Sequence, residues 1–242
     1  MPQHNRLYND LTWLWPILSP PEEYEEEIAE VTNLILDYTK GEVNNLLDLG
    51  CGGGHNAYWL KQTFTVTGVD LSESMLELAR KLNPEVCFML GDMRSVRLGE
   101  TFDVVFIADA IDYMLTEEDL RAAFETAYAH LRPGGTFCTY AEETREGFEQ
   151  NTTKTITRIK GDIELTSIEN FYDPDPDDTT YEMTFVYLIR KNGQLKVETD
   201  HHVSGLFDTA KWIELLEDVG FKVNMMEYEN AGPMFLCVKG LD

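Results

Sequence analysis

An α/β fold is predicted for this chain: a doubly wound, mostly parallel sheet carrying an inserted antiparallel sheet. Three observations predict it. Apolar runs alternate with amphipathic segments between about residues 45 and 140. One run, Leu46-Leu47-Asp48-Leu49, leads straight into a turn holding Gly50, Gly52, Gly53 and Gly54. Beyond about residue 150 the hydrophobic period becomes two, with Tyr181, Met183, Phe185, Tyr187 and Ile189 on one face of a strand.

The elements follow in order. Residues 1–21 read as irregular and aromatic-rich, with Tyr8, Trp13 and Trp15 before Pro16, Pro20 and Pro21. Pro21 suits the first turn of a helix, and Glu22, Glu23 and Glu25 to Glu27 suit its positive end. Ile28, Val31, Leu34 and Ile35 give that helix its apolar face, and Gly41 ends it. A first strand over 45–50 and a helix over 54–62 are followed by a strand from Phe64 to Asp70. Ser72 reads as the cap of a helix reaching Lys81. Strands at 86–90 and 104–108, a helix over 117–130 and a strand from Thr136 to Tyr140 complete the alternation, the last entered through Leu131-Arg132-Pro133-Gly134-Gly135.

The insert then reads as strands over 155–171 and 181–190, with Asn192-Gly193 as a hairpin turn into a third strand, 194–204. A helix over 208–219 and strands from Phe221 to Tyr228 and Phe235 to Lys239 return to the main sheet. The expected organisation is a cap and helix over 1–41, a ligand-binding core over 42–150, the insert over 151–206 and the end of the core sheet over 207–242.

With 242 residues, 43% of them hydrophobic, the chain is long enough for one domain with an elaboration. Its 44 acids and 19 bases leave a net charge of −25. That balance argues against nucleic acid as a partner, because such affinity rests on neutralised phosphates. It suits cationic small molecules. Cys51, Cys87, Cys138 and Cys237 are far apart, three in predicted core strands, without metal-site spacing. Free thiols imply a reducing compartment. There is no basic-then-apolar leader and no apolar run near ~18 residues, so a cytoplasmic location away from membranes is expected.

The glycine turn is the most informative stretch. A strand-to-helix turn rich in glycine lets backbone approach a ligand closely. Asp48 stands beside it, and no Lys or Arg falls between Asp48 and Lys61. A carboxylate there opposes a pyrophosphate and favours a cation. S-adenosylmethionine (SAM) carries a sulfonium and an ammonium and no phosphate, so the turn favours SAM over a dinucleotide. Asp70, twenty residues after Gly50, ends the second strand, where an acid accepts from both ribose hydroxyls. Asp92 ends the third, placed for an adenine amino group with Met93 as an apolar face, and Asp109 ends the fourth.

Asp48-Leu-Gly50-Cys-Gly52-Gly-Gly54, Val69-Asp70-Leu71-Ser72, Gly91-Asp92-Met93, Phe102-Asp103-Val104-Val105 and Leu131-Arg132-Pro133-Gly134-Gly135 together resemble the successive motifs of class I SAM-dependent methyltransferases. The resemblance covers roughly residues 40–141 and the last helix and two strands. It implies a seven-stranded sheet with an antiparallel last strand. It also implies a cofactor set of Asp48, Gly50, Cys51, Gly52, Gly54, Asp70, Leu71, Met75, Asp92, Met93 and Asp109. A narrower resemblance, carried by Leu7-Tyr8-Asn9-Asp10, Ala110-Ile111-Asp112-Tyr113-Met114 and His202-Val-Ser-Gly-Leu206-Phe207, is to N-methyltransferases of nucleotide-linked amino sugars. Some relatives carry a histidine where Tyr113 stands, and the insert shows no basic cluster for a pyrophosphate.

Methyl transfer is an in-line displacement, so such an enzyme aligns reactants, excludes water and handles the proton of the acceptor. Tyr8, Asp112, Tyr113 and His202 are the candidates. Strand alternation aligns His201 with Leu195, Val197 and Val203 as the core residue and turns His202 toward a cleft or solvent. Tyr8 reads as a lid on the cofactor, and His55 as a helix N-terminal residue near it. No metal site is expected: Asp173-Pro-Asp175-Pro-Asp177-Asp178 begins like a calcium loop but lacks its glycine and terminal glutamate. Gly52-Gly-Gly54-His-Asn-Ala57 fits a dinucleotide pattern only formally. The expected activity is methylation of a small molecule, at nitrogen before oxygen, with dimerisation through the insert. Rival readings are an O-methyltransferase, a nicotinamide oxidoreductase and a non-enzymatic interaction module.

Overall fold

The computed structural model describes residues 5–227 and 232–241. Its centre is a seven-stranded sheet. β1 (Asn45–Leu49), β2 (Thr65–Asp70), β3 (Cys87–Leu90), β4 (Phe102–Ile107), β5 (Leu131–Tyr140), β10 (Phe221–Met226) and β11 (Met234–Lys239) lie in the order β10-β11-β5-β4-β1-β2-β3. β11 runs antiparallel between β10 and β5, and the pairs among β1 to β5 are parallel. This is the expected architecture. Tyr228, the predicted end of β10, lies outside the described residues.

Burial explains why this sheet forms. Val104, Val105, Phe106 and Ile107 are fully buried, as a central strand covered on both faces requires. Each such side chain contributes roughly 1.5–3 kcal/mol by leaving water. The helices on the two faces are α2 (Glu25–Tyr38), α3 (His55–Leu60) and α4 (Glu73–Leu82) on one side, and α5 (Glu117–His130) and α6 (Thr209–Val219) on the other. Ser72 caps α4 by accepting from the backbone N–H of Met75, and Thr116 caps α5 through Asp119. The chain winds from β1 out to β3 and crosses back to β4. The switch point, where open α/β sheets bind ligands, is therefore the crevice between β1 and β4.

The insert is a second sheet, in the order β6-β7-β8-β9: β6 (Thr152–Lys160), β7 (Ile163–Tyr172), β8 (Thr180–Lys191) and β9 (Gln194–Gly205). The single strand expected over 155–171 is thus two, split at Gly161, whose φ of +62° makes the turn. The N-terminal segment is more ordered than expected. It forms 3-10 turns at Arg6–Tyr8 and Thr12–Leu14 and a short helix, α1 (Trp15–Leu18). Leu7, Leu11, Leu14 and Ile17 pack on Leu165, Tyr181 and Tyr187 of the insert. Pro21 opens a 3-10 turn that feeds α2 at Glu25. Cys51, Cys138 and Cys237 are buried free thiols, while Cys87 is exposed on the edge strand β3, where no further strand covers it.

Candidate active site

The glycine turn joins β1 to α3. Gly50, Gly52 and Gly54 all have positive φ, at +78°, +50° and +76°. A Cβ on Gly50 would lie 2.3 Å from that of Ala110 and 2.8 Å from the Met93 methyl. Gly53 lies under the Trp15 indole, which stacks on His55 with ring centres 5.8 Å apart. The N-terminal segment therefore roofs the turn. Burial lowers the His55 imidazole to about 4, so that ring is neutral. Met75 is buried with its methyl against Gly52, and supports the turn from below.

Asp48, 1% exposed, has no donor on either oxygen. Burial, then the charges of Asp70 and Asp109, push its carboxyl up to about 8. A nearby cation would reverse that. Asp70 accepts the backbone N–H of Gly52 at 2.8 Å and that of Ser72 at 2.7 Å. One N–H on each oxygen leaves lone pairs on both for hydroxyl donors. Leu71, 67% exposed, stands at the rim beside it as an apolar ledge. Asp92 is held by Arg94, which donates to both its oxygens and also to Asp119. The Arg94 hydrogen bonds keep Asp92 below the usual carboxylate range. Asp109, after β4, accepts from the Tyr140 hydroxyl. The four acids expected at strand ends do converge on one edge of the sheet. Their chemistry suits a ligand with a cation, a ribose and an apolar base.

A second constellation lies across the crevice. The Tyr8 and Tyr113 phenol oxygens are 2.8 Å apart. Tyr113 Oη is 2.8 Å from His202 Nδ1, and His202 Nε2 is 2.9 Å from Asp200 Oδ2. The same Asp200 oxygen accepts the Leu7 backbone N–H at 2.7 Å. Burial raises the Asp200 carboxyl, but donation from His202 and from the Leu7 and Arg6 backbone outweighs it and holds the group below its usual range. The ionised carboxylate fixes the tautomer: Nε2 carries the hydrogen, and Nδ1 accepts from Tyr113. Burial is also the main cause that raises both phenols well above their ordinary range, so they stay protonated.

The histidines reverse the sequence expectation. His202 is 0% exposed, whereas the His201 side chain is 51% exposed. The β9 face carrying Leu195, Val197 and His201 is the outer face, and the face carrying Asp200, His202 and Ser204 packs inward. His202 still meets a candidate partner, Tyr113. Tyr8 does more than lid the crevice: its carbonyl accepts from Ser72, beside Asp70, while its hydroxyl reaches Tyr113. Asp112 is buried and separate from this line, accepting the Glu142 backbone N–H. Asp200 was missed, although an acid two residues before a histidine shares its strand face. Among the described residues no group of acids, cysteines and histidines has a metal-holding arrangement.

A parallel sheet with one reversed strand, a glycine turn and an acid on each neighbouring strand end define a nucleoside-binding α/β enzyme of the methyltransferase type. A methyltransferase-domain family profile matches residues 46–135. The chain is 30% identical over 223 residues to dTDP-3-amino-3,4,6-trideoxy-alpha-D-glucopyranose N,N-dimethyltransferase of Streptomyces venezuelae, covering 88% of each chain. It is 26% identical to dTDP-4-amino-2,3,4,6-tetradeoxy-D-glucose N,N-dimethyltransferase of Saccharopolyspora spinosa, over 84% of this chain and 81% of that one. The crystal structure of Streptomyces venezuelae DesVI superposes with a TM-score of 0.85, at 25% identity over 96% of both chains. The chain belongs to the class I SAM-dependent methyltransferases, in the family that includes these amino-sugar N-methyltransferases. It is a SAM-dependent methyltransferase.

Proposed function

We propose that the acceptor is an amino sugar of the kind named for its relatives, and that Tyr8, Tyr113 and His202, backed by Asp200, receive the proton the amine gives up. The observation that carries this reading is the unbroken hydrogen-bonded line from the crevice to a buried carboxylate. SAM, when bound, supplies an electrophilic methyl group on a positively charged sulfur. Asp48 answers that positive charge, Asp70 holds the ribose, and Leu71, Asp92 and Met93 face the base. Gly50, Cys51, Gly52 and Gly54 give the close backbone approach with Met75 beneath them, and Asp109 stands at the amino-acid end. The amine nitrogen attacks with its lone pair and becomes an ammonium. Its proton passes to a phenol oxygen as the Tyr113 hydrogen moves to His202 Nδ1, and the imidazolium rests against Asp200. The net result is one N–C bond made, one methyl–sulfur bond broken with its electron pair left on a sulfur that becomes neutral, and one proton stored on an ion pair. A second round on the same nitrogen needs that proton released to solvent first.

The cap over 1–41 closes the crevice, residues 42–150 hold the cofactor, 151–206 form the acceptor wall and 207–242 complete the sheet. The outer face of the insert exposes Ile159, Leu195 and Val197, which suits pairing with a second copy. Four free cysteines suit a cytoplasmic setting, and the acid excess leaves nucleic acid aside. The test is incubation with SAM and a panel of dTDP-linked amino sugars and their hydroxyl counterparts, read by mass spectrometry. Methyl groups should appear on the amino compounds alone. Transfer to the hydroxyl counterparts, or to neither set, rejects the reading.

A further inference from the structure

Three consecutive cap residues meet the insert and the proton line in step. Arg6 Nη1 donates to Glu198 Oε2 and to the Thr199 carbonyl, both at 2.9 Å. The Leu7 backbone N–H donates to Asp200 Oδ2 at 2.7 Å. The Tyr8 phenol oxygen lies 2.8 Å from that of Tyr113. The rest of the Arg6 fork holds its own turn: Nη2 donates to Asp10 Oδ2 at 2.7 Å and Nε to the same oxygen at 3.1 Å. The Arg6 carbonyl accepts the backbone N–H groups of Asn9 and Leu11, at 2.9 and 2.8 Å. One guanidinium therefore braces the 3-10 turn that carries Leu7 and Tyr8 and ties it to the strand that carries Asp200 and His202.

This differs from an ordinary surface ion pair. A lone exposed pair is worth little, because two long side chains must be held still for one contact. Here all three guanidinium nitrogens donate, and one acceptor is a backbone carbonyl of β9 that cannot swing away. The Glu198 side chain is 16% exposed, and Lys196 holds its other oxygen at 2.6 Å. Lys196 and Arg6 together keep that carboxyl below its usual range. The hydrogen bonds to Asp10 and Glu198 raise the guanidinium above an already high value, so it is charged at every working pH. The other fastenings of the turn press it onto the crevice: Leu7 packs on the insert, and Ser72 donates to the Tyr8 carbonyl. Arg6 fixes it along β9, beside the carboxylate that the proton reaches last.

We propose that Arg6 is a positioning residue for methyl transfer: by tying the cap turn to β9 it sets the Leu7 amide on Asp200 and the Tyr8 phenol against Tyr113. This rests on the proton line given above and adds a residue that acts only through it. Such a line tolerates little looseness. Proton transfer needs heavy atoms within about 3.2 Å, and a misplacement of ~1 Å can cost ~10²-fold in rate. Lysine carries the same charge without the fork, so it cannot reach Asp10, Glu198 and the Thr199 carbonyl together.

Arg6→Gln and Arg6→Lys are made in the full chain, alone and combined with Tyr113→Phe. The kcat is followed by mass spectrometry on an amino sugar that the unaltered enzyme methylates, and SAM affinity by calorimetry. Arg6→Gln should lower kcat about tenfold or more and change the SAM Kd by less than about threefold. Arg6→Lys should lose less, and takes its place if the glutamine variant does not fold. In the Tyr113→Phe background the loss should shrink to less than about threefold, because changes to one line do not add. An unchanged kcat in Arg6→Gln, or in Arg6→Lys where that replaces it, overturns the proposal. A full loss that persists beside Tyr113→Phe overturns it too, by making Arg6 a support of the fold alone. So does a loss of SAM affinity that matches the loss of kcat, which assigns the effect to the cofactor side. Failure of the parent reading is separate: Tyr113→Phe then keeps the full rate, or no amino sugar is methylated, and the role of Arg6 falls with it.

Discussion

Asp48→Asn isolates the electrostatic demand made by the glycine turn. Asp48 is buried without a hydrogen-bond donor, and its carboxyl is pushed up to about 8 from an ordinary 3.8. A raised carboxyl in the folded state means that stability is complete below the unfolded-state pKa and is lost as pH climbs toward about 8. Between about pH 5 and pH 8.5, some three pH units of that loss remain, roughly 4 kcal/mol at ~1.4 kcal/mol per unit. Relaxation around the site makes this a ceiling. The asparagine cannot ionise, so the loss is absent from the variant. Urea unfolding of both proteins without cofactor, at both pH values, gives the difference directly. Any constant cost of the buried amide cancels when the two pH values are subtracted. The variant should gain on the wild type by at least ~1.4 kcal/mol, one pH unit, as the pH rises. In calorimetry, SAM affinity of the wild type should increase from about pH 6 to pH 7.5, while that of the variant stays flat and weaker. A stability difference independent of pH, together with equal SAM affinity, would falsify the role assigned to Asp48.

Other outcomes follow from the same geometry. Asp70→Ala removes the acceptor of two backbone N–H groups and should cost about 1–3 kcal/mol of stability, with SAM no longer raising the thermal midpoint. Tyr113→Phe should keep SAM affinity and lower kcat by roughly 10²–10⁴-fold; an unchanged rate removes its hydroxyl from the chemistry. Asp200→Asn should lower kcat with SAM affinity kept, because His202 loses the carboxylate that fixes its tautomer. His201→Ala, on the exposed face, should leave kcat unchanged, and a comparable loss there would reverse the assignment of the two histidines.

Much of this enzyme was legible in its sequence because the core obeys local rules. The glycine turn, the alternating β and α periods and the acids at strand ends each report a backbone requirement within a few residues. The insert was less legible. Leu195 and Val197 read as buried by alternation, but the face they share with His201 turns outward, and only the packing of Tyr181 and Tyr187 against Leu7 and Leu14 decides which face is inside. Cys87 misled for a related reason: a strand pattern does not say that the strand is an edge. Asp200 shares a strand face with His202, which alternation does report, but its contact with the Leu7 backbone, 193 residues away, is not encoded by periodicity. The cap was read as irregular because its 3-10 turns are too short to establish a period.

The N-terminal segment is sewn to both sheets. Arg6 pairs with Glu198, Leu7 donates to Asp200, the Tyr8 carbonyl is fastened to Ser72, and Trp15 covers Gly53. For anyone building chimeras, the insert is therefore not a portable cassette. A graft of residues 151–206 alone would leave the histidine facing a foreign seam, so a transplant of acceptor preference must carry residues 5–18 with it.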